Sequence, residues 1–410
     1  MINSIRSKRI LIFSIVMLAI LAAAIFVIRQ QSSRVVIRDT QGRAYAGTEA
    51  CKSCHLSVYD SFITTPHMLT SAAATKKTVL GSFAGKDKTI IYNEHEKILV
   101  TDSAGKLWQC AFLDNEQKLA HSFDISIGRG FLGQSYLYWQ EKKLFQLPVS
   151  YIGPAKQWGN SPGFPDKILF TRTITPRCLE CHTTYARTLS TPDLGYAFDE
   201  DAIIFGVTCE RCHGPAADHV TFHTRHPEIK QAKYIINAAR LGIQKQLDAC
   251  AFCHSGQREA LQPAFTFTTG DNLSNFYAPT YNKTAAENTD VHGNKYELIT
   301  SSRCFIKSRQ MTCSSCHNTH NNETDNLQLF SRRCMACHEP GTDAFCKAPH
   351  DNAMLQANCI DCHMPGQESK AISLGLSDNT KMNSSPAIVR THLIKVYPEA
   401  YKRFMKTHAR

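Results

Sequence analysis

Met311-Thr-Cys313-Ser-Ser-Cys316-His317-Asn-Thr-His320 sets two thiols three residues apart, an imidazole directly after the second, and another imidazole three residues on. The Cys-x-x-Cys-His part recurs at Cys51-Cys54-His55, Cys178-Cys181-His182, Cys209-Cys212-His213, Cys250-Cys253-His254, Cys334-Cys337-His338 and Cys359-Cys362-His363, so fourteen of the 17 cysteines fall in seven pentapeptides. The spacing has a chemical cause. Two thiols add across the two vinyl groups on one edge of a haem, and the next imidazole swings under the ring to become the proximal iron ligand. Structural zinc also uses Cys-x-x-Cys pairs, but it does not need the histidine that follows. With His at 18 of 410 positions, finding it there in all seven motifs has chance odds on the order of one in a billion. Disulfide staples fail on the same ground. The sequence predicts seven covalently attached c-type haems.

A low-spin electron-transfer haem needs a second axial ligand, and eleven histidines lie outside the motifs. His320, three residues after His317, projects away from its own haem toward a neighbour. His219 follows the Gly214-Pro215 break in CERCHGPAADHV, on a short helix. His67 follows Pro66 at an expected helix start, and His292 precedes Gly293, which permits close backbone approach to a flat ring. His392, on a long motif-free tail, is read as folding back onto a haem, and His350 and His121 complete a set of seven distal ligands. His95, His223, His226 and His408 sit in polar or charged stretches and read as surface residues.

The chain opens with Arg6, Lys8 and Arg9 and then carries no charge from Ile10 to Ile28, a run that spans about 28 Å as a helix, roughly one bilayer. Ala22, Ala23 and Ala24 would serve as the exit site of a cleaved signal peptide. Ile25 to Ile28 continue apolar, which favours a retained transmembrane anchor. Covalent haem attachment takes place outside the energy-transducing membrane, so everything after Ile28 is expected in the periplasm. The formal charge of +11 would suit nucleic acid, but seven haems bring as many as about fourteen propionate charges. No argument for nucleic acid survives that correction. The partners expected are redox proteins of the membrane or periplasm, with the inner membrane itself reached through the N-terminal helix.

Between His55 and Cys178 lie 122 residues without a motif. Alternating and β-branched runs at Thr89–Tyr92, Ile98–Thr101, Phe123–Ile127 and Tyr136–Trp139, separated by Gly-Lys-Asp and Ser-Ala-Gly-Lys turn signals, predict a small antiparallel β module. Motifs two to four are joined by gaps of 26 and 36 residues, and the last three by only 16 and 20. Haems that close in sequence must be close in space, and the macrocycles themselves would form the apolar core. The expected fold class is a mainly α and irregular multihaem cytochrome with a haem-dominated core, a small antiparallel β module and an N-terminal transmembrane helix. Its expected segments are a cytoplasmic N-terminus 1–9, an anchor 10–28, a linker 29–46, a first haem module 47–75, the β module 76–150, haems two to four at 151–267, a linker 268–300 carrying a distal histidine, and haems five to seven at 301–410. Cys110, Cys304 and Cys346 remain. A Cys304–Cys346 disulfide is expected, since both flank the last haem cluster in an oxidising compartment; the alternative is three buried free thiols.

With these motifs in hand, the chain resembles the multihaem cytochromes of the cytochrome c-554 and hydroxylamine-oxidoreductase type over most of residues 45 to 365. YAGTEACKSCH with its downstream PHM is similar to that family's first haem motif and distal histidine. SIGRGFLGQSYLYWQ, LFQLPVSYI, WGNSPGF, CLECH, GVTCERCHGPAADHV, DVHGNKYELI, MTCSSCHNTH and CIDCHMPG look like a branch of the same proteins. The resemblance implies stacked haem pairs with mostly bis-histidine ligation, and supports His67, His219, His292 and His320 as ligands. Nitrite reductases of related ancestry use a lysine as proximal ligand at the catalytic haem. Every motif here ends in histidine, which argues against that site.

Two functions are expected to compete. The first is electron transfer through closely packed bis-histidine haems, from a membrane quinol oxidase or soluble donor to a partner. The second is a haem oxidoreductase in which one iron lacks a sixth ligand and binds a small nitrogen or sulfur compound. A haem-based sensor fits less well, because sensing does not need seven cofactors.

Overall fold

The structure, a computed structural model, describes residue 17 and residues 35–85, 88–191, 195–279, 286–348, 352–377 and 380–408. The chain divides into two compact units, residues 1–38 and 39–410, and the second holds all seven motifs. The apolar run 10–28, apart from residue 17, lies outside the described residues. Among the described residues no helix is long and apolar enough to cross a membrane.

Strands Thr89–Ile91, Glu96–Ser103, Lys106–Leu113 and Glu116–Ser122 form an antiparallel meander. Two of its turns, Ala104-Gly105 and Asp114-Asn115, take positive φ at both central residues, the arrangement whose twist matches that of the flanking strands. Alternation then sends Ile98 and Val100 fully inward. A larger sheet runs in order through Ser71–Ala73, Ile125–Ile127, Gly133–Gln140, Val149–Ile152 and Gln157–Asn160, with Lys143–Gln146 paired on Gly133–Gln140. The meander and this sheet share one core, which includes Ile90, Tyr92, Phe123, Tyr136, Leu147 and Trp158. Gln109, fully buried, stitches the two: its amide donates to the Val149 carbonyl at 2.7 Å and accepts from the Val149 N–H at 3.0 Å. A buried amide is tolerated there because both its polar ends are satisfied.

The C-terminal hairpin Gly366–Ser377/Met382–Arg390 adds to the same sheet through Asn160 opposite Gly375. Gly159 makes that junction possible, since a Cβ there would stand 2.2 Å from the Gly375 carbonyl oxygen. A third β element, the hairpin Thr183–Thr191/Gly195–Phe205, follows the second motif directly.

These sheets correct the expected fold class. The described residues are 28% helix and 27% strand, so the fold is not mainly α, and the largest side-chain core among them lies within the β layer rather than around the motifs. The reason is physical: the sequence signals for strands beyond the first module are weak. The C-terminal hairpin has a register shift between Glu368 and Ser373 and carries Pro386, both of which blur strict alternation. Replacing Gly159 by Ala is expected to push this hairpin off the sheet and cost about 1–3 kcal/mol, read as a lowered midpoint in urea unfolding followed by far-ultraviolet circular dichroism.

Candidate metal centres

Each pentapeptide is built as a turn of helix or helix end. Pro176–His182, Cys209–His213, Ile243–His254 and Ile360–His363 all finish on a motif histidine. At His55, His317, His338 and His363 the backbone N–H donates to the carbonyl of the motif's own first cysteine, at 2.9, 3.0, 3.0 and 3.1 Å. In that conformation residues i, i+3 and i+4 share a face. Two thiols and an imidazole therefore present themselves together, and a second imidazole must come from elsewhere.

Four motif histidines face such a partner. His55 faces His219 with ring centroids 6.5 Å apart and planes 17° from parallel, His213 faces His320 at 6.1 Å and 14°, and His317 faces His392 at 6.3 Å and 24°. His67 and His254 stand 6.3 Å apart at 68°. A metal held between two imidazoles at bond lengths of about 2.0 Å, with about 1.1 Å from each donor nitrogen to its ring centre, demands a spacing near 6.2 Å. The residues fit that demand. His182 and His292 are electrostatic neighbours. Two imidazoles leave four equatorial positions to fill, and among the described residues no group of three or more His, Cys, Asp or Glu converges to hold a bare ion. A macrocycle would supply those four nitrogens.

Tautomers fit as well. His213, His219, His338 and His363 place Nδ1 at 2.8, 2.8, 2.6 and 3.0 Å from the carbonyl oxygens of Ile236, Lys233, Ala344 and Lys395. Donation from Nδ1 leaves the Nε2 lone pair for iron and fixes the ring plane. Burial lowers the pKa of His67, His182, His292, His317 and His320, and with the nearby Lys295 charge it brings His254 and His392 down to about 3. All are neutral at physiological pH, which is the ligating form.

Three acids tie the motifs and a candidate ligand to the chain around them. Glu210, inside the third pentapeptide, accepts from the N–H groups of Ala46, Gly47 and Ala216 at 2.8, 2.9 and 2.8 Å, clamping the entry to the first motif against the third. Glu180, inside the second, accepts from Phe265 N–H at 2.7 Å and Tyr277 O–H at 2.6 Å. Asp290 accepts from the His292 N–H and the Ser369 hydroxyl at 2.8 and 3.0 Å and from the Lys370 N–H. Burial would raise its pKa, but those hydrogen bonds prevail and hold it below the usual carboxylate range. Ser302 fixes the tail that carries His392, donating to the His392 carbonyl at 3.1 Å and accepting from Ile394 N–H at 2.8 Å.

The cysteines give the order of the centres. Thiols of different motifs lie side by side, Cys51 with Cys209, Cys181 with Cys253, Cys250 with Cys313 and Cys334 with Cys359. Cys212 neighbours Cys250, and Cys316 neighbours Cys334 and Cys337. The seven motifs thus form a continuous row, first, third, fourth, fifth, sixth, seventh, with the second beside the fourth.

His121 is placed elsewhere: its ring packs on Tyr138 and Phe170 at 4.0 and 5.0 Å in the β layer. His350 lies outside the described residues, and among the described residues no imidazole is paired with His338 or His363. The expected Cys304–Cys346 disulfide is not formed. Both thiols are free, Cys304 neighbouring Cys316 and Cys337 and Cys346 neighbouring Cys362. His223, read from sequence as a surface residue, lies 4.6 Å from His219 with a buried, unpartnered Nε2; its i+4 spacing from His219 was the available signal.

Residues 165–214, which span the second and third motifs, match the family described as cytochrome c554 and c-prime. The multiheme cytochrome MtrA of Shewanella baltica (strain OS185) is 27% identical over 184 residues, covering 39% of this chain and 51% of that protein. The chain thus spans about half the length of this curated relative. The crystal structure of outer cell wall cytochrome OcwA superposes with a TM-score of 0.52 at 15% identity, over 89% of this chain and 84% of that one, a likeness of fold.

Three near-parallel imidazole pairs and one near-perpendicular pair would have a spectroscopic consequence with haem bound. In a bound haem, crossed imidazole planes would leave the two iron d orbitals that overlap the axial rings' π systems nearly degenerate, which would yield a strongly anisotropic low-spin ferric signal at large g. One such signal is expected in the electron paramagnetic resonance (EPR) spectrum beside ordinary rhombic ones. His67→Ala is expected to abolish it, whereas His121→Ala is expected to leave the spectrum as it was.

Proposed function

We propose that this chain, a multihaem c-type cytochrome, transfers electrons along a row of seven covalently bound, mostly bis-histidine haems on the outer side of the energy-transducing membrane, between redox partner proteins. When bound, haem supplies a reversible one-electron iron couple. The observation that carries the reading is the set of four imidazole pairs held 6.1–6.5 Å apart by strands of chain far separated in sequence. Ligation of both axial positions by neutral imidazoles suits electron transfer, because no coordination site is left for a substrate.

The chain's own residues keep that geometry rigid. Glu210 clamps the third motif to the entry of the first, Glu180 ties the second to Phe265 and Tyr277, backbone carbonyls hold the His213 and His219 rings, and Ser302 fixes the returning tail. Little has to move as an electron passes, which lowers the reorganisation each step requires. The outer-side location rests on where thioether attachment takes place.

A second reading, catalysis at an iron with one open face, is favoured at one end of the row. His338 is exposed, and among the described residues neither it nor His363 is paired with a second imidazole. A pyridine haemochrome assay on matured protein of known concentration is expected to return seven haems per chain, with an intact mass to match. Only low-spin ferric signals are expected in the EPR spectrum; a high-spin component that responds to nitrite or hydroxylamine would instead favour catalysis.

A further inference from the structure

Among the described residues the fourth motif, Cys250–His254, is the one within reach of three cations that its neighbours hold singly: Arg177 beside the second motif, Arg211 inside the third and Lys295 near the fifth. It touches three other centres: Cys253 meets Cys181 of the second motif, Cys250 meets Cys313 of the fifth, and Cys212 of the third lies beside Cys250. Around it stand three cations. The guanidinium carbons of Arg177 and Arg211 lie 4.7 and 4.4 Å from the ring centre of Phe252, the residue directly before Cys253. Both are within electrostatic reach of Cys253. One terminal nitrogen of Arg177, and Nε and one terminal nitrogen of Arg211, are buried with no hydrogen-bond partner. Lys295 lies within reach of His254, His67, His317 and His392, and among the described residues it makes no ion pair.

The nearby carboxylates are already engaged. Glu180 is shared by Phe265 N–H and Tyr277 O–H and stands 3.7 Å from Arg177, and Glu297 pairs with Arg258 at 3.1 Å. Reduction lowers the charge of an iron centre by one. A fixed positive charge nearby therefore favours the reduced form, the more so where water is excluded.

We propose that the Cys250–His254 centre is the branch point of the row and its highest-potential member, held there by Arg177, Arg211 and Lys295. The inference rests on the electron-transfer reading above. An electron arriving from the second or third centre oxidises that donor as it reduces the fourth, with no bond made or broken. The fourth centre then holds the electron until the fifth accepts it. Arg177, Arg211 and Lys295 act as positioning charges.

The near-perpendicular His67/His254 pair makes this centre separately observable through its large-g signal. In a reductive potentiometric titration of the full-length holoprotein, that signal is expected to vanish first. In Lys295→Gln, and separately in Arg211→Gln, its midpoint is expected to fall by about 59 mV, a tenfold change in the one-electron equilibrium. Lys295→Arg is expected to restore it, and the rhombic signal of the distant His55/His219 centre is expected to stay in place in the Lys295 variants. The proposal is overturned if any other low-spin signal disappears before the large-g one, or if neither variant shifts its midpoint. The wild-type order stands as a test even where a variant fails to mature. Absence of low-spin signals altogether would overturn the electron-transfer reading instead.

Discussion

The structure brings a second imidazole to about 6 Å from four that the chain has already committed to a helical turn, and much of the fold supports that approach. The pentapeptide is local and can form anywhere. Its distal partner cannot, because a side chain three or four residues away lies on the same face and cannot reach across a flat macrocycle. The chain accordingly draws partners from afar: His219 for His55, His67 for His254, His320 for His213, His392 for His317. Each pair closes a loop of 75 to 187 residues, and loop closure of that size needs scaffolding to hold it.

The β layer is one such scaffold. Ser71, in its first strand, donates to the carbonyl of His182 at 2.6 Å, and Thr70 does so at 2.9 Å, so His67 is tied to the second motif within a few residues of its own ring. At the other end the hairpin Gly366–Arg390 leaves the sheet and delivers Thr391 and His392 to the fifth centre. Its anchor is the Gly159–Gly375 contact. A core of Ile98, Val100, Tyr136 and Trp158 thus does for the ligands what a helical bundle does in other metalloproteins: it makes the approach of two distant imidazoles a property of a stable layer.

The seven pentapeptides are legible in the sequence because they obey a fixed local rule, and five other histidines stand out by their local settings: His67 after a proline, His219 after Gly-Pro, His292 before a glycine, His320 at i+3 and His392 on a long tail. The structure sets four of these opposite a motif imidazole and the fifth beside His182. Their pairing was not legible, since which motif a distant histidine meets depends on tertiary closure. The same holds for Gln109, Glu180 and Glu210. Each is a polar residue that composition assigns to the surface, yet each is buried with its hydrogen bonds satisfied. The helix-dominated expectation failed for a related reason. It counted the macrocycles as the core, whereas the chain builds an apolar core of its own beside them.

Charge shows how far composition can mislead. A formal excess of eleven positive charges reads as a basic surface, but part of that excess faces inward. Arg177 and Arg211 stack on Phe252 with unpartnered buried donors, and Lys295 stands among four histidines of two centres. Buried cationic nitrogens without hydrogen-bond partners are costly in an apoprotein. Haem, when bound, brings anionic propionates that lower the protein's overall positive charge. The basic composition and the cofactor load are therefore two halves of one electrostatic arrangement, and the protein's net charge has meaning only with its haems attached.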